Sequence, residues 1–191
     1  MPRDAEKTRE RLLAAATEEF ARYGIAGARI DRIADAAEAN KQLIYKYFGS
    51  KDALFDAVFS RRVIEFGDAV AFDAADLPGY AGRTFDMYEE NPDIVRLTTW
   101  YQLERPEGEP IKTVLGSSEG KLARIAAAQR DGALPGDRDP LELLAFVRSI
   151  AMAWHTQVPE LDARNRLPRA QRRAAVVDAV TRLIAPNPAD A

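Results

Sequence analysis

Apolar residues recur along this chain at spacings of three and four, and almost nowhere at spacings of two. Leu12, Leu13, Ala16 and Phe20 fall on one helical face, and Gly24 stands where a helix over about 4–23 would stop. Ile30, Ile33, Ala34 and Ala37 mark a short second helix, 30–37. A third, 41–48, turns Ile44 and Phe48 inward. Gly49-Ser50 interrupts the pattern, and Ser50 is suited to N-cap a fourth helix from Lys51 with the stripe Leu54, Phe55, Val58, Phe59 and Val63. Prolines then punctuate the chain, several where a first helical turn tolerates them. Helices are expected at about 78–90, 92–104, 110–130, 140–157 and 168–185, with loops at 105–109 and 132–139. The expectation is an all-α chain of about nine helices. A compact three-helix N-terminal domain fills 1–50, the fourth helix from 51 acts as connector, and a C-terminal helical bundle domain spans 51–191.

Composition narrows the function classes. Alanine, the strongest helix former, is the commonest residue, and apolar residues at 47 % can fill a substantial core. The net charge of −3 argues against a nonspecific nucleic-acid coat, although residues 1–62 are mildly basic and the remainder acidic. With no cysteine there is no disulfide, thiolate zinc site or cysteine nucleophile, and His155 is the single histidine. Metal clusters, nucleophilic triads and phosphate-binding glycine loops are missing, so neither an enzyme nor a metal or cofactor is expected. No stretch approaches the roughly 20 apolar residues of a membrane span, nor does the N-terminus carry a signal-peptide core. A soluble cytoplasmic protein is expected.

Residues 29–51 carry the chemistry. Two helices of about eight residues are joined by a turn at Glu38–Asn40, the helix-turn-helix plan, in which the second short helix enters the DNA major groove. Ile44 and Phe48 point in, while Lys41 with Tyr45 and Gln42 with Lys46 form outward i, i+4 pairs. Lys41 suits guanine O6 or N7, and Gln42 suits adenine. Asn40 can cap the helix and present its amide to a base or phosphate. Lys46, Lys51 and the hydroxyls of Tyr45 and Tyr47 are candidate phosphate contacts. Both tyrosines also have a packing reading, Leu43 either touches a thymine methyl or packs inward, and Arg29 is either a DNA contact or plain surface.

Over about residues 5–60 the sequence resembles the N-terminal signature of TetR-type transcriptional regulators. Phe20 to Gly24, Ile33-Ala34, Tyr45 to Phe48 and Lys51 to Leu54 stand in order at the family's spacing. Two positions depart from it. Ala28-Arg29 replaces the hydroxyl N-cap of the second helix, at a cost of about 0.5–2 kcal/mol, and Glu38 replaces the glycine that commonly begins the turn. The resemblance implies a homodimer on near-palindromic double-stranded operator DNA, released by a small-molecule effector.

For 63–191 the resemblance implies an effector-binding and dimerisation domain. Phe85, Tyr88, Trp100, Tyr101, Met152 and His155 are either ordinary core or the lining of an effector cavity. Two C-terminal stripes, Leu144, Val147, Ala151 and Trp154, and Val177, Val180 and Ile184, are assigned by resemblance to the dimer interface, with the single-chain core as the alternative.

Overall fold

The structure, a computed structural model, describes residues 2–105 and 107–185. Among them the regular elements are ten helices and one 3-10 turn, with no strand. The helices are α1 (Pro2–Gly27), α2 (Ile30–Ala36), α3 (Lys41–Phe48), α4 (Lys51–Ala69), α5 (Leu77–Glu90), α6 (Pro92–Glu104), α7 (Lys112–Arg130), α8 (Pro140–Met152), α9 (Pro159–Asp162) and α10 (Arg169–Leu183). They form two compact units: residues up to Glu65 with Pro92–Val114, and Phe66–Asn91 with the chain from Leu115 onward. The units are thus interleaved in sequence, unlike the single cut at residue 50.

In the first unit, Leu12, Ala16, Phe20, Ile33, Ile44, Leu54 and Phe55 are fully buried in one core, with Phe20 edge-on to Phe55 at 5.3 Å. Helical geometry in α1 breaks at Gly24 (φ 73°), where a Cβ would strike Glu104 Oε1 and sit 3.0 Å from the Trp100 ring. That break leaves carbonyls without helical donors, and α6 supplies them. Arg96 Nε donates to Ala21 O at 2.6 Å, Arg96 Nη2 to Arg22 O at 3.2 Å, and Trp100 Nε1 to Ala21 O at 3.3 Å. In return Ala26 N–H donates to Glu104 Oε2 at 2.7 Å. This exchange is why α6 belongs with the head.

The expectation for Trp100 and Tyr101 as effector-pocket residues is corrected accordingly. Trp100 caps α1, and Tyr101 stacks on Phe59 at 4.9 Å and Phe55 at 6.3 Å. Both belong to the first unit's packing.

In the second unit α5 packs closely on α8 and α10. Leu77, Ala81, Phe85, Leu143, Val147, Ala151, Val176 and Val180 make its dry core. The dimer-interface expectation is therefore also corrected: Leu144, Val147, Ala151 and Val180 retain 3 % exposure or less within a single chain. A stripe apolar enough to attract a partner is first consumed by the neighbouring helix. Trp154, Val177 and Ile184 remain half-buried, and Phe146 is 44 % exposed.

Helix α8 ends at Met152, five residues before the expected 157. Ala153 N–H and His155 N–H turn back to Ile150 O and Met152 O in tight i→i−3 bonds, and the Gln157 amide donates to Ala153 O at 2.6 Å. Pro159 holds Val158 extended (ψ 147°), away from helical conformation.

Candidate nucleic-acid interface

The site is built on α3, whose bounds are those its sequence dictates. Asn40 is extended, and its Oδ1 accepts from Gln42 N–H at 2.8 Å; at the other end Gly49 N–H donates to Tyr45 O at 2.9 Å. One side chain, Ile44, is wholly buried and pins the helix to the head core, with Leu43, Tyr47 and Phe48 packed partly around it. Lys41, Gln42, Tyr45 and Lys46 are exposed, Tyr45 by 52 %. The face left to solvent is thus a row of hydrogen-bond donors on a rigid mount.

The turn before α3 explains how Glu38 serves where glycine is usual. Ala39 N–H donates to Ala34 O at 2.9 Å and Glu38 N–H to Asp35 O at 3.0 Å, the double bond pattern that closes a helix through a left-handed residue. That residue is Glu38, at φ 48°. Its carboxylate reaches Arg11 at 3.7 Å, but both side chains are largely exposed.

Three expected contacts are already engaged. Lys41 pairs with Asp31 of α2 at 3.1 Å, which raises its ammonium above the ordinary lysine range through the hydrogen bond and then the charge. An exposed pair of this kind is weak, so a phosphate can displace Asp31. Lys51 Nζ donates to Ala26 O at 3.2 Å and Ala28 O at 3.3 Å, tying the start of α4 to the end of α1. Tyr47 lies edge-on to Phe48 at 6.3 Å, and Arg9 sits 5.5 Å over Phe48.

Arg29 is exposed and extended at the N-cap of α2, with no side-chain cap. The missing hydroxyl is partly replaced by Glu19, 9 % exposed, whose Oε1 accepts from Arg29 N–H at 2.9 Å and Arg32 Nε at 2.8 Å. Arg32 also lies 4.2 Å over the Tyr23 ring. Sequence reasoning missed this Glu19–Arg32 pair; the empty cap position was the available signal that another acceptor must serve α2.

Of the effector candidates in the second unit, His155 lies 5.3 Å from the Phe85 ring and 5.6 Å from Tyr88, with Met152 half-buried at the end of α8. His155 Nε2 stands 3.0 Å from Glu89 Oε1, and Glu89 accepts both Arg172 Nη atoms at 2.6 and 2.9 Å. Burial, and then Arg172, push the imidazole below its ordinary value against the pull of Glu89. Among the described residues no group of three or more His, Cys, Asp or Glu side chains is placed to hold a metal ion, and no helix is long and apolar enough to cross a membrane.

A family model described as bacterial regulatory proteins, tetR family, matches residues 12–58. A second, described as tetracyclin repressor-like, C-terminal domain, matches residues 76–182. The chain is 39 % identical over 162 residues to the HTH-type transcriptional repressor SCO4008 of Streptomyces coelicolor, covering 83 % of each chain. It is 32 % identical over 136 residues to the HTH-type transcriptional repressor NicS of Pseudomonas putida, covering 65 % of this chain and 64 % of that one. In structure it resembles SCO4942 from Streptomyces coelicolor, with a TM-score of 0.82, 44 % identity, and coverage of 92 % of this chain and 97 % of that one. The fatty acid degradation regulator FadR from Bacillus halodurans shares the fold at a TM-score of 0.69 and 18 % identity, over 92 % and 97 % of the two chains.

Proposed function

The chain belongs to the TetR family and is a DNA-binding transcriptional regulator, and from that premise we propose that it is a cytoplasmic homodimeric repressor, not an enzyme, released from its operator by a small-molecule effector. Residues 1–50 carry the DNA contacts, and residues 51–191 carry dimerisation and effector binding. The observation that carries this reading is α3: one buried anchor, Ile44, under an exposed row of Lys41, Gln42, Tyr45 and Lys46 capped by Asn40. Lys41 and Gln42 at the helix start address base edges, whereas Tyr45, Lys46 and Arg29 reach phosphates. Lys51 and Tyr47 chiefly hold the head in shape, a role supported by their engagement with α1 carbonyls and with Phe48.

Two copies place their α3 helices in successive major grooves, roughly 34–36 Å apart, on a near-palindromic site. The dimer face is the side of α8 and α10 left uncovered in a single chain: Phe146, Ile150, Trp154, Val177 and Ile184. An effector bound in the second unit, near Phe85, Tyr88, Met152 and His155, prefers a different separation of the heads and weakens DNA binding, with site coupling of about 1–3 kcal/mol typical.

The test is a gel shift on the DNA flanking the protein's own gene. The Lys41→Ala/Tyr45→Ala variant should bind at least roughly 100-fold more weakly, since each good base or phosphate contact contributes about 1–3 kcal/mol, while its melting temperature stays at the wild-type value. Unchanged sequence-dependent binding by that folded variant would overturn the reading.

A further inference from the structure

Arginines of the second unit are often matched to carboxylates. Arg83 pairs with Asp76, Arg138 with Glu142, Arg169 and Arg173 with Asp86, Arg172 with Glu89, and Arg182 with Asp178. A group of cations on α7 and α8 departs from that pattern. Lys121 donates only to Ser117 Oγ, at 2.8 Å, one turn back on α7. Arg124, one turn on, donates to Phe72 O and lies 4.9 Å over the Phe72 ring. Arg148 of α8 forms no ion pair among the described residues.

These charges act on one another with nothing acidic between them. Lys121 is partly buried, and its ammonium is held below the ordinary lysine range by that burial first, then by Arg148 and Arg124. The charge of Arg148 also reaches the hydroxyls of Tyr80 and Tyr88 on α5. Those two tyrosines are 2 % and 6 % exposed, and burial raises both hydroxyls, so they stay protonated and able to donate. Thr84, on α5 between them, is 1 % exposed, and its Oγ1 completes no well-formed hydrogen bond although it lies beside the Tyr80 hydroxyl. Phe72 meets the Tyr80 ring edge-on at 4.8 Å.

The set is therefore rich in donors, doubly or triply positive, walled by aromatic rings and short of acceptors. Uncompensated charge beside buried rings is unfavourable unless something neutralises it. A carboxylate does so with charge-assisted hydrogen bonds, and its apolar body fits the rings.

We propose that α5, α7 and α8 of the second unit form the anion-holding end of the effector site, where Lys121 and Arg148 pair with the carboxylate of an apolar organic acid and the Tyr80, Thr84 and Tyr88 hydroxyls line its approach. The inference rests on the effector-controlled reading and gives that effector its chemical class. A neutral or cationic effector gains nothing from the two cations, so discrimination between an acid and its amide is the property to measure.

The probes are dodecanoate and 2-naphthoate, each beside its primary amide, in thermal shift on the full chain. At about 100 times its Kd a ligand raises the melting temperature by roughly 5 °C or more. At least one acid is expected to do this, its amide to give less than a third of the shift, and Lys121→Met/Arg148→Met to abolish it. Should the double variant fail to fold, Arg148→Met alone carries the comparison, with Arg148→Lys expected to keep most of the shift. Equal shifts for acid and amide, no shift with either acid, or a shift that survives in the folded variants would overturn the proposal. Operator binding by ligand-free wild-type protein is measured in parallel. Its absence would sink the regulator reading while leaving the acid–amide comparison to decide the anion site.

Discussion

Helices α3 and α8 are both short and amphipathic, yet only one declares its free face. Helix α3 buries Ile44 and leaves Lys41, Gln42, Tyr45 and Lys46 in solvent, so the polar side can only be the outside. Helix α8 is apolar nearly all round. It buries Leu143, Leu144 and Val147 but also shows Leu141 at 62 % exposure and Phe146 at 44 %. Chemistry alone separates inside from outside in the first helix. In the second, two apolar faces compete, and only the packing of α5 and α10 decides which one the chain covers itself.

The largest expected effect sharpens that contrast. Leu144→Ala should cost about 2–5 kcal/mol of folding stability, the range for emptying a core leucine site, at every protein concentration in urea denaturation. Phe146→Ala, on the uncovered side, should leave the single-chain fold nearly intact and instead weaken subunit association, read by sedimentation and by a melting temperature that falls on dilution. If Leu144→Ala folds with wild-type stability and becomes monomeric, the two faces of α8 have been assigned the wrong way round.

The same contrast separates what was legible in the sequence from what was not. Helix α3 was readable to its last residue, because Asn40, Gly49 and Ser50 are local signals that act within four positions of where they stand. Gly24 likewise stopped regular helix at the expected place. The role of Trp100 was not readable: its partner, Ala21 O, lies 79 positions away, and nothing near residue 100 records that α1 ends with free carbonyls. Lys51 looked like a phosphate contact for the same reason, since the Ala26 and Ala28 carbonyls it holds are far off in sequence. Charges in the C-terminal helices resembled a solvated surface until α5 brought Glu89 against Arg172.

Ion pairs give the next, smaller comparison. The Lys41–Asp31 pair of the head is exposed by 60 % and 74 %, while Arg172–Glu89 in the second unit is exposed by 17 % on each side. Asp31→Ala should leave the melting temperature unchanged, whereas Arg172→Met strands a carboxylate and should cost about 2 kcal/mol, below the 3–5 of a fully buried pair. His155 adds a pH signature. Its imidazole is held below the ordinary 6.5 by burial first, so the stability it contributes is present above that pH and is lost as pH falls through the lowered value. Burial alone would raise Glu89, but Arg172 and His155 bring it below its ordinary 4.5, so its contribution survives to lower pH and is lost after that of His155. Stability measured between about pH 7 and pH 3 should therefore fall in two stages, and His155→Gln should remove the upper one. A His155→Gln curve that keeps the upper stage would place that proton elsewhere.

The smallest expected effect compares two helix ends built alike. At the end of α7, Ala133 N–H donates to Ala128 O at 2.8 Å and Gly132 N–H to Gln129 O at 3.2 Å, with Gly132 at φ 75°. The end of α2 has the same pair of bonds, but Glu38 occupies the left-handed position. A side chain there costs roughly 1–2 kcal/mol in sterics, and glycine returns about 0.4–1 kcal/mol of that through its freer unfolded state. The exposed Arg11–Glu38 contact at 3.7 Å adds little. Glu38→Gly should thus stabilise the protein by about 0.5 kcal/mol, Glu38→Asn by less, and Glu38→Ala by nothing, as alanine keeps the steric cost and drops only the weak contact. Gly132→Ala should destabilise by about 1 kcal/mol in the same urea series, the mirror of the first change. The order Gly, Asn, then Ala at position 38 is the measurement that matters. If alanine matches glycine, the turn ahead of the recognition helix is not left-handed, and the mount that aims Lys41 and Gln42 is built some other way.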